Sequence, residues 1–581
     1  MSELLKALQA RAKVRYENPP RKVLAFYYGW YGNPSVSGRW LHWERVDAER
    51  KTIATSTHYP QLGAYDSSDP KVIEQHCRWA REAGLDGFIF SWWGKGGYEE
   101  KPLSQLLQSA QQHRLQVCIY YEAVPEPGNP ETALADWEYI LRRYGAHPAY
   151  LKVDGKPVIF VYARAMEQLS MSQWALVLAE IARRSPPGVC AIADRLDKTA
   201  CRIFDGVHTY NTAGALAGKP LEQVEATTES QFREAFQQAG ALFRIRCATV
   251  IPGYDDTKIR TPGLAVARYE GRSYREQWEA ALRLNPDWVL ITSFNEWHEG
   301  SEIEPSVEHG DRYLKLTAEY ARQFQELPPA PRMATPLTAL PPDAITALRK
   351  RWQGKTIGVL PDASSEAFFW LIEAGLPIAL LDWEQVVEPG RLTPQHYEAL
   401  VYAGGESYRA SVRQPNDVDG ALRAYLQAGG RLLALSYQPF PFYYADGKAV
   451  GDARRFGLPI AGSSPNPQAG TTGFEQPPVP NLRFFWNRTL MPYASAEPTP
   501  FPEGGDQRWR PMLRSLVSPE DEYLPLITLR DGQGRSWGEG AGIVRYRTGA
   551  LKGAAVGYAW FRLPEMPQAP LLLEALFRLI L

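Results

Sequence analysis

Cysteine is scarce in this chain. There are five in 581 residues, Cys77, Cys118, Cys190, Cys201 and Cys247, an odd number, far apart and without a CxxC pair. This excludes a disulfide framework and a cysteine-based zinc site, and fits reduced thiols. The histidines (His42, His58 and His298 among them) are scattered without ligand spacing, so no metal or other cofactor is expected. No apolar run approaches the roughly 18 residues of a membrane span, and the first residues, MSELLKALQARAKVRYENPPRK, read as a short polar helix lacking a signal-type apolar segment. The chain is therefore expected in the cytoplasm, off the membrane. Charge of one sign is also missing: 64 Lys+Arg against 65 Asp+Glu leave a formal −1, without the basic excess a nucleic-acid binder needs.

What the chain has in surplus is aromatic residues, 12% of the total, with 18 Trp and 30 Tyr. That exceeds what a core needs, and aromatic faces pack against sugar rings and other flat ligands. Eleven of the tryptophans precede residue 330.

The first 320 residues alternate short β-rich runs with longer helical patterns. Strands are expected at 23–31 (VLAFYYGWY), 87–93 (GFIFSWW), 116–124 (QVCIYYEAV), 157–163 (PVIFVYA), 189–194 (VCAIAD), 206–211 (GVHTYN), 247–254 (CATVIPGY) and 288–294 (WVLITSF), with amphipathic helices between them at, for instance, 71–83 and 172–183. Continuous apolar strands separated by helices call for a parallel sheet. Eight such units predict a (β/α)8 TIM barrel over 1–327; the alternative, a doubly wound open sheet, lacks its Gly-rich dinucleotide loop after the first strand. A linker is expected over 328–345, where six prolines fall between Pro328 and Pro342. A second α/β domain follows over 346–581, with strands near 356–360, 377–381, 399–403 and 431–436, a helix near 417–428, a long loop over 459–505, β-rich segments at 542–547 and 553–560, and a last helix at 570–581.

The chemistry-bearing residues converge after the eighth strand, in SFNEWHEGSEIEP (293–305). Barrel loops after the strands form the catalytic face. Glu296 and Glu299 lie there beside Trp297 and His298. If the segment turns helically, residues i and i+3 are neighbours, about 5–6 Å apart at Cβ, which suits two carboxyls flanking one glycosidic bond. Taken alone, such an acidic cluster is more often a solvated rim; its strand-end position and the adjacent tryptophan favour chemistry.

NEWHEGSEIEP after a VLITSF strand resembles the signature of glycoside hydrolase family 99, the endo-α-1,2-mannosidases. The likeness includes AFYYGWYGNP (25–34), HYPQLGAY (58–65), GLDGFIFSWW (84–93), FDGVHTY (204–210) and PGYDDTKIR (252–260). It implies a retaining α-mannosidase barrel acting through the sugar's 2-hydroxyl, with Glu296 as base toward that hydroxyl and Glu299 as general acid, then base. It also implies Glu122 as a sugar contact, otherwise a salt-bridged rim acid, and Tyr254 near the reacting centre, otherwise a packing residue. Arg260 is expected on a substrate hydroxyl or a neighbouring carboxylate, and Asn295, Trp297 and His298 on the substrate. Trp92 and Trp93 are stacking candidates, although one of two adjacent strand residues must point away. Tyr28, Trp30, Tyr31, His58 and Tyr59 read equally as substrate contacts and as barrel-end packing; Asp255 and Asp256 read as turn residues.

The chain departs from the family after the fourth strand, where an acidic YDSY-like stretch is replaced by Tyr162-Ala163-Arg164-Ala165-Met166, and again after Arg260 in TPGLAVARYEGR. The chemistry therefore carries over better than the substrate, which is expected to be an α-linked oligosaccharide or glycoconjugate. A transglycosylase or glycosyltransferase on the same barrel, and a non-catalytic carbohydrate-binding protein, are the competing readings.

The second domain resembles flavodoxin-like, class I glutamine amidotransferase-like domains, with Tyr402-Ala403-Gly404-Gly405 and Leu435-Ser436-Tyr437 after strands. No cysteine follows Cys247, and His396 is the one histidine after His309. Without a nucleophile the amidotransferase reaction is unavailable, which leaves a structural role: covering the barrel, completing the cleft wall or supporting a homo-oligomer. Glu406, after the Gly-Gly turn, is expected at the surface.

Overall fold

The structure is a computed structural model that describes residues 3–330, 332, 340–462, 466–502, 506–560 and 569–581. The chain divides into two compact units, Ala10–Ala334, and Thr335–Leu581 together with Met1–Gln9.

In the first unit all eight expected strands form: β1 (Lys22–Tyr27), β2 (Gly87–Trp92), β3 (Gln116–Tyr121), β4 (Lys156–Val161), β5 (Cys190–Asp194), β6 (Gly206–His208), β7 (Ile245–Val250) and β8 (Trp288–Ile291). Each pairs in parallel with its neighbour, and β8 with β1 closes the ring. This is the (β/α)8 barrel. Its helices are α1 (Pro70–Glu82), α2 (Leu103–Gln112), α3 (Pro130–Ile140), α4 (Met171–Arg184), α5 (Lys198–Ile203), α6 (Leu221–Ala241), α7 (Arg272–Leu284) and α8 (Arg312–Glu326). Their local causes are plain. In α1, the Asp69 carboxylate accepts the Lys71 N–H, Pro70 stands in the first turn, and Val72, Ile73, His76, Cys77 and Ala80 make the buried stripe. A Ser170–Gln173 capping box starts α4.

Side-chain alternation along the strands decides what reaches the rim. Phe26 points into the barrel, with ring centroids 4.8 Å from Tyr120, 5.8 Å from His208 and 4.9 Å from Tyr210. Tyr27 points outward to α1, its hydroxyl 3.0 Å from His76 Nδ1. Tyr28 turns inward again. The strands are shorter than expected: β1 ends at Tyr27 and β8 at Ile291, and beyond them single backbone bonds, from the Thr292 N–H to Val250 and the Phe294 N–H to Phe26, give way to side-chain partners. The Tyr28 N–H donates to Asn295 Oδ1 at 2.8 Å.

Of the expected linker, residues 331 and 333–339 lie outside the described residues, and Pro342 opens the helix Pro342–Trp352. The second unit holds a nine-stranded mixed sheet. Five parallel strands, β9 (Ile357–Val359), β10 (Ile378–Leu380), β11 (Ala399–Tyr402), β12 (Arg431–Ala434) and β16 (Ala555–Ala559), run in the order β10-β9-β11-β12-β16. That is the order of a flavodoxin-like sheet. An antiparallel half continues it through β15 (Ser536–Arg545), β14 (Glu522–Arg530), β13 (Arg483–Trp486) and the short Thr499–Pro500. The region expected as one long loop thus contributes strands; its prolines and glycines hid them, since edge strands tolerate what a central strand excludes. Glu406 is not at the surface but buried, and pairs with Arg508 at 2.7 Å. The amidotransferase likeness rests on the sequence alone.

Candidate active site

The turn after β8 is built from below. The Ser293 hydroxyl accepts the Glu296 N–H at 2.7 Å. The Asn295 amide is fully buried and clamps the backbone of Tyr28 from both sides, at 2.8 and 2.9 Å. The Tyr31 hydroxyl donates to the Asn295 carbonyl at 3.0 Å and accepts the Trp297 N–H at 3.1 Å. The Trp297 indole N–H donates to Glu304 at 3.0 Å beneath the rim. Gly300 ends the turn in the left-handed region (φ 54°), where a side chain would also press on Asp255 at 3.3–3.4 Å. The segment is a tight turn, not a helix, and it turns Glu296 and Glu299 to the barrel mouth while Asn295 and Trp297 stay in the core.

Glu296 is buried and accepts the His298 N–H at 3.0 Å, with the His298 imidazole Nδ1 3.4 Å away. His298 donates from Nε2 to the His42 carbonyl at 2.5 Å. Burial works against a charge on this imidazole, but Glu296 and the His42 carbonyl outweigh it and raise its pKa. Glu299 accepts from both Arg260 Nη atoms at 3.0 Å and lies 3.4 Å from the Tyr210 hydroxyl. Burial, and then the nearby Glu296 charge, push its carboxyl up to about 7 against the pull of Arg260. Arg260 is shared: it also donates to the Tyr254 hydroxyl at 2.7 Å and to Asp256 at 2.5 Å.

A third carboxyl faces the pair. Glu122, just past β3, is buried and accepts the Ser91 hydroxyl at 2.6 Å. Burial pushes it up to about 8; the Ser91 hydrogen bond and Arg164 pull it down, and Glu296 and Asp194 add to the rise. Tyr28 stands among all three acids, and burial followed by their charges raises its phenol well above the usual range. Its hydroxyl donates to Tyr210 at 2.8 Å, which makes a chain Tyr28–Tyr210–Glu299. Trp93, 40% exposed, offers its face beside them, with its indole N–H on Ser91 at 2.9 Å.

The structure therefore gathers Glu296, Glu299, Tyr28, Trp93, Glu122, Tyr254, Arg260 and His298 into one site. Six expected substrate contacts are corrected. Asn295, Trp297 and Tyr31 have their polar groups consumed in the clamp just described, and all three are fully buried. Trp92 alternates outward, buried with its N–H on Glu100 at 3.2 Å. Tyr59 is buried, and its backbone is tied to Glu308 and Val307. His58 has its ring taken up by Glu302 at 2.7 Å and His309 at 3.1 Å, on the wall of a cavity of about 690 Å³ that also meets Arg268, Tyr254 and Gly300. Sequence reasoning missed Ser91, Tyr210, Asp194 and Arg164. All four sit at or just past strand ends, so position and alternation were the available signal.

A closed barrel whose rim holds neighbouring carboxyls beside a half-exposed indole has the build of a sugar-bond hydrolase. The comparisons agree. The family model "Glycosyl hydrolase family 99" matches residues 20–321, just over half of the chain. The chain belongs to glycosyl hydrolase family 99 and is a glycoside hydrolase. A mouse "Glycoprotein endo-alpha-1,2-mannosidase-like protein" is 29% identical over 351 residues, 52% of this chain and 76% of the relative. The mouse "Glycoprotein endo-alpha-1,2-mannosidase" is 28% identical over 364 residues, covering 53% and 77%. A solved structure of the GH99 endo-alpha-mannosidase from Bacteroides thetaiotaomicron is 30% identical, covers 52% of this chain and 98% of its own, and superposes with a TM-score of 0.45.

Proposed function

We propose that this enzyme cleaves α-linked glycans, α-mannosides first, with retention, by participation of the sugar's own 2-hydroxyl. Glu296 takes the 2-hydroxyl proton; O2 attacks C1 and the bond to the leaving oxygen breaks as Glu299 protonates it. Glu299, now a carboxylate, takes a proton from water, whose oxygen opens the 1,2-anhydro sugar at C1, and Glu296 returns its proton to O2. One water is consumed, both glutamates regain their starting protonation, and the product keeps its anomeric configuration.

The observation that carries this reading is the asymmetry of the pair. Burial and the Glu296 charge raise Glu299 to about 7, so it still carries a proton to give near neutral pH, as a general acid must, while two donors of His298 converge on Glu296. Arg260 supports the second half-reaction, since it stabilises Glu299 once the proton has left. The α-mannoside preference is supported by the names of the relatives, and the half-exposed Trp93 indole at the rim offers a face to a sugar ring. Incubation with an α-1,2-linked mannosyl oligosaccharide, followed by NMR of the anomeric proton, tests it. The α-anomer of the free sugar should appear first. An initial β-anomer, or a transfer product without free sugar, sinks the mechanism.

A further inference from the structure

Arg164 has no role in the chemistry above, yet it stands at the same rim. It follows β4 and is exposed, and its guanidinium lies over the Trp93 ring at 5.0 Å and the Tyr162 ring at 5.8 Å. Arg260 is paired with Asp256 and Glu299, and Arg268 with Glu302 at 2.8 Å. Arg164 has no ion-pair partner among the described residues. The acid that faces it, Glu122, is already engaged by Ser91 and is neutral near pH 7, so it does not cancel the charge. A guanidinium fixed by its flat faces keeps its N–H edges free, and those edges match the paired oxygens of a carboxylate or sulfate.

We infer that Arg164, held on Trp93 and Tyr162, is a specificity-determining contact for an anionic substituent on the bound glycan, a uronic carboxylate or a sulfate ester on a sugar next to Trp93. The inference rests on the glycoside hydrolase reading of the same cleft. It assigns Trp93 the ring face of that sugar and Arg164 its negative edge, with the Ser91–Glu122 pair, neutral near pH 7, as hydrogen-bonding floor.

The test uses the full chain carrying Glu299→Gln, to hold substrates uncleaved. Calorimetry measures the binding of three α-mannobiosides: neutral, sulfated on the non-reducing sugar, and with a uronic acid in that place. At low salt at least one acidic disaccharide should bind about tenfold or more tightly than the neutral one. The excess should shrink as salt rises, fall below about twofold in Arg164→Gln, and persist in part in Arg164→Lys. The sulfate and uronate arms say which anion fits. Equal or weaker binding of both acids, or a preference that survives Arg164→Gln, overturns the inference. Turnover by the unsubstituted enzyme separates the two readings. Cleavage without an acidic preference removes only the role of Arg164; an intact preference with no cleavage of any of the three removes only the hydrolytic reading.

Discussion

At the C-terminal ends of the barrel strands, Glu122, Glu296 and Glu299 face one another, and Arg260, already bound to Asp256, pairs with Glu299. In the second unit Glu406, past the parallel strand β11, and Asp506, in a connecting segment, share Arg508 at 2.7 Å each. The consequences run in opposite directions. Asp506 is pulled below its usual range, where burial is outweighed by Arg508, whereas Glu299 and Glu122 are pushed above theirs. The difference lies in which influence wins: pairing with arginine at Asp506, burial and neighbouring acids at Glu299 and Glu122.

Removing the two acids of the turn after β8 should have the largest effect. Glu299→Gln and Glu296→Gln are each expected to lower turnover by about 10³-fold or more, and near-native rates in either would erase the distinction between the two units. The fold should survive. A carboxyl whose folded pKa lies above its ordinary value binds its proton more tightly when folded, so it costs stability as pH rises past the unfolded pKa. Glu299→Gln should therefore melt higher than the parent at pH 8 and show no such gain at pH 4.

Next in size is the pH profile. Because Glu299 must be protonated to act as acid, kcat/KM should fall as pH rises through about 7, roughly tenfold per unit. Glu122→Gln should lower the rate but keep an alkaline limb; its disappearance would transfer the acid role to Glu122. Arg260→Ala should move the limb to higher pH, since the arginine lowers the Glu299 pKa, and should cost about 10–100-fold in kcat/KM. An unmoved limb would detach Arg260 from Glu299.

The smallest effect on activity belongs to the paired acid. Glu406→Ala should leave turnover within about twofold while lowering unfolding free energy by about 1–3 kcal/mol, read from denaturant melts. A large loss of activity would bring the second unit into the chemistry.

Much of this was legible in the residues. All eight barrel strands announce themselves as apolar runs between amphipathic helices, and the NEWHE segment marks the catalytic rim. What could not be read was direction. Within five consecutive residues, Asn295 and Trp297 are structural, while Glu296, His298 and Glu299 face the cleft. The chain makes a tight turn here, and the choice follows from where Tyr28, Tyr31 and Glu304 happen to offer partners. Trp92 and Trp93 differ in the same way: equal in the sequence, opposite by strand alternation. Ser91 and Tyr210 carry no chemical signature until closure of the barrel sets them beside Glu122 and Glu299.

The sequence by itself determined that this protein is a parallel barrel of family 99 with a second α/β unit that lacks a cysteine nucleophile, because periodicity, local motifs and residue types are properties of the chain alone. Only the tertiary structure decided which aromatics face the cleft, which acids burial pushes up and that Arg164, among the described residues, has no ion-pair partner. Those are properties of distance and burial, and they exist only once strands far apart in the chain are brought side by side.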